Sequence, residues 1–288
     1  MDKAKKAFLL TLMHTFLISV AVSCIFPLVW MIMSSFKTYQ EFIQIPADIN
    51  TWRGFLHWFL PHKFNLANYI SAWRDGNLGM YFLNSVIYTF LAVSGIVFVS
   101  SLAGFAFSRL EFWGRDFIFH LFLAAMMIPI PAGFVPLFVL LTKIHLVNTR
   151  LGYILAMINV GLSLSIYLFK TFFDNLPRDL EDAARIDGCS KLRIWWNVAF
   201  PLAAPATGVV IIFNALNVWN EFILAVIIFA DKAKLPLQAG LMEFAGEHIG
   251  NEPLIMAGLT IAALPIIVVY LLMQKHIIKG ITAGAMVG

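Results

Sequence analysis

Four polar side chains crowd one short run of an otherwise apolar segment: Asn214, Asn217, Asn220 and Glu221, with Trp219 among them. On a helix, Asn214, Asn217 and Glu221 fall three and then four positions apart and share a face. Carboxamides beside an indole suit a ligand that offers hydroxyls on one side and an apolar ring face on the other, as a pyranose does. Ionisable groups inside apolar segments default to a functional reading and normally face the protein interior. Hydrogen bonding between helices accounts for the same residues, at about 0.6 kcal/mol on average and up to ~1.7. Glu221 also fits a place near a bilayer interface. Both readings stay open at the level of sequence.

A second constellation lies in Lys170–Pro201, KTFFDNLPRDLEDAARIDGCSKLRIWWNVAFP. Its spacing predicts two short helices around one turn. Pro177 suits a first helical turn, with Asp174 or Asn175 as the cap before it. Leu180, Ala183, Ala184 and Asp187 then share a face. Glu181 precedes Arg185 by four, the favoured order for a helical ion pair. Asp187-Gly188 stops the helix, because glycine readily takes the left-handed conformation. Ser190 caps a second helix with an apolar stripe of Leu192, Trp195, Trp196 and Ala199, and Pro201 ends it. Two adjacent alanines on an exposed face let another backbone approach closely, and the flanking acids and arginines orient it. That describes a docking knob for a partner protein. A hairpin lying on a membrane surface, anchored by Trp195 and Trp196, fits the same pattern.

The elements that must position these residues are apolar to an unusual degree. The 288 residues are 60% hydrophobic and only 12% charged, where a soluble domain carries about 25% charge. Six stretches hold no Asp, Glu, Lys or Arg: 7–36, 76–108, 117–142, 151–169, 194–220 and 253–274. A helix needs about 20 apolar residues to cross a bilayer. The sequence therefore predicts an all-α membrane protein, a single transmembrane domain over 1–288, with six helices near 8–34, 83–107, 117–141, 151–170, 203–229 and 254–273. Placing the N-terminus inside gives the inner segments 12 of the 20 Lys and Arg and the outer segments 8, as the positive-inside rule prefers. An even number of spans puts both termini inside. The lysine-rich start leads into a run too long for a signal peptide, so an uncleaved first span is expected. The aromatic-rich outer segment 35–80 reads as a small folded cap or as interfacial helices, not as a linker. Pro129, Pro131 and Pro136 require the third span to kink or break. Either a cavity-lining bend or a packing kink satisfies them.

Several classes are excluded or disfavoured. The formal charge of +4 sits in loops, where membrane topology explains it better than nucleic acid does. The apolar runs do not alternate as barrel strands do. Cys24 lies in a span and Cys189 in a polar loop, depths that disfavour a disulfide. The histidines show no metal spacing, and the nucleophile elbow G-x-S-x-G is absent. No Gly-Lys dipeptide occurs, so there is no phosphate-binding G-x-x-x-x-G-K-[ST] loop.

The stretch Glu181–Pro201 resembles the EAA motif of ABC-importer permeases: E-A-A, three residues, G, then a proline thirteen residues on. Asp182, Ala183, Ala184, Gly188 and Pro201 hold those positions, with Asp in place of the commoner Glu. FPLVWMIMSSFK at 26–37, LNSV at 83–86, NTRLGYIL at 148–155, WNEFILA at 219–225 and KGITAGAMVG at 279–288 are similar to the carbohydrate branch, the maltose-transporter-like permeases. The resemblance implies a bacterial inner-membrane subunit whose cytoplasmic two-helix coupling loop, 171–201, docks on an ATPase. Ala183, Ala184 and Gly188 would pack closely there, and Glu181, Asp182 and Asp187 would anchor the contact. It further implies a homologous permease partner in a heterodimer, two ATP-binding subunits, an external solute-binding protein and a small-molecule sugar. This chain would bind no cofactor, ATP and Mg being used by the partner. Asn214, Asn217, Trp219, Asn220 and Glu221 are the candidate substrate path. One rival is an ABC permease for another solute, such as glycerol phosphate, although no span carries an Arg or Lys for an anion. The other is an ATP-independent secondary transporter, which would need carboxylates in several spans, where Glu221 is the clear candidate.

Overall fold

The computed structural model describes residues 3–46 and 48–285, and every regular element among them is helical. Four helices are long and apolar enough to cross a bilayer: Phe8–Ser35, Leu78–Arg109, Arg150–Asp174 and Glu252–Val269. A pair bent by 77°, Lys191–Leu202 and Ala204–Asn220, adds a fifth if counted as one span. The chain divides into two compact units, Met1–Gly79 with Leu241–Pro265, and Met80–Gly240 with Ile266–Gly288.

In the first unit, α1 (Lys3–Ser35) is followed by three short helices, α2 (Tyr39–Ile43), α3 (Trp52–Phe59) and α4 (Ala67–Arg74). Thr38 and Thr51 cap α2 and α3 by accepting from Glu41 N and Gly54 N, satisfying donors a helix start leaves free. Aromatic rings tie these helices to the end of α1: Trp30 lies 6.4 Å from Trp58, and Phe36 5.1 Å from Tyr69. Segment 35–80 thus consists largely of short helices packed through aromatic rings, the form that a folded cap and interfacial helices share. Lys37 is buried beneath it, donating to the Trp58 carbonyl with its ammonium 5.5 Å from that ring. Burial pulls its pKa below the usual lysine value, partly offset by Glu41.

The second unit holds most of α5 (Leu78–Arg109), then α6 (Arg115–Ala125), a 3-10 turn at Ile130–Gly133 and α7 (Phe134–Lys143). The third apolar stretch is therefore broken where its prolines lie. Thr149 caps α8 (Arg150–Asp174) by accepting from Gly152 N at 3.0 Å. After α9 (Asp179–Ile186) comes α10 (Lys191–Ile194), which runs through a wide π-type turn at Trp195–Ala199 into α11 (Phe200–Leu202). Beyond the bend come α12 (Ala204–Asn220) and α13 (Ile223–Ile228), so the helix predicted near 203–229 is interrupted at Glu221 and Phe222. α14 (Leu237–Glu247) and α15 (Glu252–Ala285) complete the chain. α15 runs well past the predicted limit of 273, and residues 286–288 of the tail motif lie outside the described residues. The LNSV run staples the segment before α14: Asn84 Nδ2 donates to Ala233 O (2.9 Å) and Leu235 O (3.0 Å), and Ser85 Oγ accepts from Leu237 N (2.7 Å). The Ala233 amide and Lys234 hold the neighbouring Asp231 carboxyl below the usual range.

One apolar core joins Ile96 and Phe105 of α5, Phe169 and Phe173 of α8 and Val210 of α12 to Ala184, Ile194 and Trp195 of the 171–201 loop. That loop is rooted in the same core as the long helices.

Candidate functional site

The 171–201 loop starts differently from the sequence expectation. Asn175 closes α8, its Nδ2 donating to Thr171 O at 2.8 Å. Asp174 accepts from Lys170 Nζ and Ser108 Oγ, each at 2.7 Å. Neither caps α9, which begins at Asp179 with Arg178 in the cap position and no side-chain bond. Pro177 holds Leu176 out of helical geometry, which separates the two helices. The first-turn acids Asp179, Glu181 and Asp182 then offset the helix dipole in place of a cap.

The turn itself forms as its residues dictate. Gly188 sits at φ +79°; its N donates to Arg185 O at 3.0 Å and Cys189 N to Ala184 O at 3.0 Å, the paired closure of a Schellman motif. Ser190 caps α10, accepting from Arg193 N at 3.4 Å. A Cβ added at Gly188 would meet nothing within 4 Å, so glycine suits the turn for its backbone angle while its outer side stays open.

The predicted faces are redistributed. Glu181 and Ala184 turn inward, whereas Leu180, Asp182, Ala183 and Asp187 are exposed. Leu180, Ala183, Ala184 and Asp187 therefore do not form one surface. On the second helix Ile194, Trp195 and Ala199 are buried, while Leu192 (65% exposed) and Trp196 (54%) face out. The wide turn at Trp195–Ala199 departs from a 3.6-residue period, so an apolar stripe counted at that period rotates out of register. Pro201 falls in the first turn of α11, where a missing N–H is tolerated, and the helix continues to Leu202 instead of ending. Outward-facing Leu180, Ala183, Ile186 (87% exposed), Gly188 and Leu192 make an apolar, small-residue surface bordered by Asp182, Arg185 and Asp187.

Glu181 is held from inside. Arg109 Nε at the end of α5 lies 2.7 Å from Glu181 Oε1, an ion pair whose side chains are 5% and 8% exposed. The contact is close but not aligned as a hydrogen bond. The same guanidinium donates to the carbonyls of Phe173 and Leu176, the latter at 2.7 Å. Arg185 approaches Glu181 Oε2 at 4.0 Å and Asp182 at 3.3 Å.

The polar residues of α12 separate into two groups. Asn214 is buried, its Nδ2 donating to Ser165 Oγ of α8 (2.9 Å) and Val210 O (2.8 Å). Gly161 of α8 makes that approach possible: a Cβ there would sit 2.5 Å from Asn214 Oδ1. Glu221 spans the interruption between α12 and α13. Its Oε1 accepts from Leu224 N at 2.5 Å, and its Oε2 from Ala225 N at 3.3 Å and the Tyr153 hydroxyl at 3.1 Å. Trp219 is buried, edge-on to Phe82 at 5.5 Å. Asn217 and Asn220 are exposed, the latter donating to Leu216 O at 2.8 Å.

Arg109, Tyr153 and Ser165 were not singled out in the sequence, because their partners lie 49 to 72 positions away, as Ser165 from Asn214 and Arg109 from Glu181 show. His57 and His62 also meet, Nε2 to Nε2 at 2.8 Å, with Glu41 Oε1 3.0 Å from His62 Nδ1. Histidines five apart that meet across a helix end give no helical-face signal. Among the described residues no group of three or more His, Cys, Asp or Glu is arranged to hold a metal.

Residues 95–283 match the family described as binding-protein-dependent transport system inner membrane component. The chain is 33% identical to the diacetylchitobiose uptake system permease protein of Streptomyces coelicolor, over 94% of this chain and 87% of that one. It is likewise 33% identical to the trehalose/maltose transport system permease protein of Thermococcus litoralis, over 94% of each. Its fold matches a chain of a bacterial ABC transporter involved in the import of the acidic polysaccharide alginate, with TM-score 0.80 and 23% identity over 96% of this chain and 98% of that one.

Proposed function

This chain belongs to the family of binding-protein-dependent transport system inner membrane components, and on that premise we propose that it is a membrane-spanning subunit of an ATP-driven sugar importer. Six crossings are assigned: α1, α5, the broken pair α6–α7, α8, α12 with α13, and α15, with both termini in the cytoplasm. The 171–201 loop then faces the cytoplasm and docks in a cleft of an ATP-binding subunit. Two such subunits hydrolyse ATP with Mg, a homologous permease completes a heterodimer, and an external solute-binding protein delivers the sugar. Closure of the ATPases shifts the spans between inward-open and outward-open states, a population shift driven by differential binding. The sugar class is supported by the diacetylchitobiose and trehalose/maltose systems to which the similar chains belong.

The observation that carries this reading is the outer surface of the loop. Leu180, Ala183, Ile186 and Leu192 are apolar and small groups left uncovered beside a glycine turn with open space around it, on a hairpin whose other side is fixed in the core. An exposed apolar patch rimmed by charge marks an interaction site. Along α12, Asn217 and Asn220 are the residues we assign to the substrate path. Asn214, Trp219 and Glu221 hold that helix against its neighbours beside the path.

The test is affinity purification from membranes of the wild type and an Ala183→Asp, Gly188→Asp double variant. Wild type is expected to elute with a second permease and with ATP hydrolysis; the variant keeps the permease and loses the hydrolysis. Recovery of the chain alone, still moving solute without ATP, would sink the importer reading in favour of a secondary transporter.

A further inference from the structure

The Arg109–Glu181 pair does something that the outer surface of the loop does not explain. Glu181 is adjacent to the exposed Asp182 yet points the other way, and its side chain is 8% exposed. Arg109 is the last residue of α5, at the end of the 32-residue helix that contributes Val93, Ile96, Val97 and Phe105 to the core. Its single guanidinium, carried by α5, reaches two further chain segments, the end of α8 through the Phe173 and Leu176 carbonyls and α9 through Glu181, and so joins three. An arginine has five donors in a fixed fork, which suits one side chain to hold three segments in a set geometry.

We propose that Arg109 is a positioning residue of the coupling machinery, a strut that carries displacement of α9 into the ends of α5 and α8. The inference rests on the reading of 171–201 as the ATPase-docking loop. Without the strut, the loop would act on the long helices through its chain connections at each end and through apolar packing. Apolar packing resists compression but slides. A buried ion pair resists separation as well, since parting it leaves uncompensated charge in a poorly solvated site. α9 can therefore pull on α5 as well as push it, which a transporter that must return to its starting state requires. A replaceable apolar contact would serve folding about as well, so the charge is best explained by the need for a two-way link.

The experiment uses the intact complex in lipid nanodiscs, with Cys24 and Cys189 replaced by Ser and spin labels on cysteines introduced at Val99 of α5 and Ile211 of α12. The label separation is compared between nucleotide-free and ATP–vanadate-trapped samples for wild type, Arg109→Met, Arg109→Lys and the swap Arg109→Glu with Glu181→Arg. ATP hydrolysis in the purified sample reports docking independently. The strut predicts that Arg109→Met keeps the ATPase bound but loses the nucleotide-dependent change in separation. Arg109→Lys, which keeps the charge but not the fork, is expected to retain part of it, and the swap more than Arg109→Met. An Arg109→Met complex with the full wild-type change overturns the proposal. So does one that loses the ATPase, because Arg109 would then shape the docking surface and transmit nothing. If even the wild type carries no ATPase, the docking reading itself has failed, and the strut with it.

Discussion

The two oxygens of Glu221 take the amides of Leu224 and Ala225 and the Tyr153 hydroxyl, which leaves the carboxylate little capacity for a ligand. Replacing it by Ala orphans those donors, and an unsatisfied buried donor costs about 1–3 kcal/mol. Glu221→Ala should therefore lower the thermal midpoint of the detergent-purified complex clearly, and Glu221→Gln, which keeps one acceptor, by less. An unchanged midpoint together with lost transport would instead make Glu221 a substrate ligand. Asn214→Ala is expected to behave in the same structural way but more weakly, by about 0.6 and at most ~1.7 kcal/mol, the range of interhelical hydrogen bonds in membranes. Asn217→Ala should do the reverse, raising the solute KM with the midpoint unmoved. The sequence marks all three residues as polar groups in an apolar segment, but it cannot sort them. Which amide meets Ser165 and which faces out depends on the rotation of α12 against α8, set by Gly161 and by core residues far along the chain.

At the scale of the element, the α9–α10 hairpin combines a locally determined turn with a tertiary one. Gly188 and Ser190 act on amides a few residues away, so their roles are legible from spacing alone. The wide turn at Trp195–Ala199 is not, because what selects it is the burial of Ile194, Trp195 and Ala199 in the core shared with α5 and α8. The start of α9 is not legible from spacing for a related reason: Asp174 has a better use with Lys170 and with Ser108 of another helix than as a cap. Gly188 offers a clean separation of turn from docking. An alanine there is strained by roughly 1–2 kcal/mol in the left-handed region, whereas asparagine visits that region readily and closes helices in its own right. Gly188→Asn should thus keep the protease resistance of the loop while placing an amide in the open space beside the turn, and the ATP hydrolysis that elutes with the complex should fall. If Gly188→Asn binds the ATPase as well as wild type does, glycine serves the turn only and the docking surface lies elsewhere on the hairpin.

For the whole molecule, the number of crossings between the cap and the loop decides which side each occupies. Residues 57 and 186 are separated by α5, α6–α7 and α8. α5 and α8 are each long and apolar enough to cross a bilayer as one span, so everything turns on the broken pair. α6 has 11 residues and α7 has 10, roughly 17 and 15 Å at 1.5 Å per residue. Laid end to end they match a hydrocarbon core of about 30 Å, and folded back on one another they would span half of it. A crossing puts residues 57 and 186 on opposite sides; a re-entrant hairpin puts them on the same side. In a background with Cys24 and Cys189 replaced by Ser, the single variants His57→Cys and Ile186→Cys supply exposed thiols for a membrane-impermeant maleimide. The Lys and Arg bias, 12 inside against 8 outside, predicts that His57→Cys is labelled in intact spheroplasts and Ile186→Cys only after they are opened. Labelling of both from outside would mean that α6–α7 turns back and that the loop cannot reach a cytoplasmic ATPase. Ile186→Cys labelled from outside with His57→Cys protected would invert the whole topology instead, and with it the side on which solute is received.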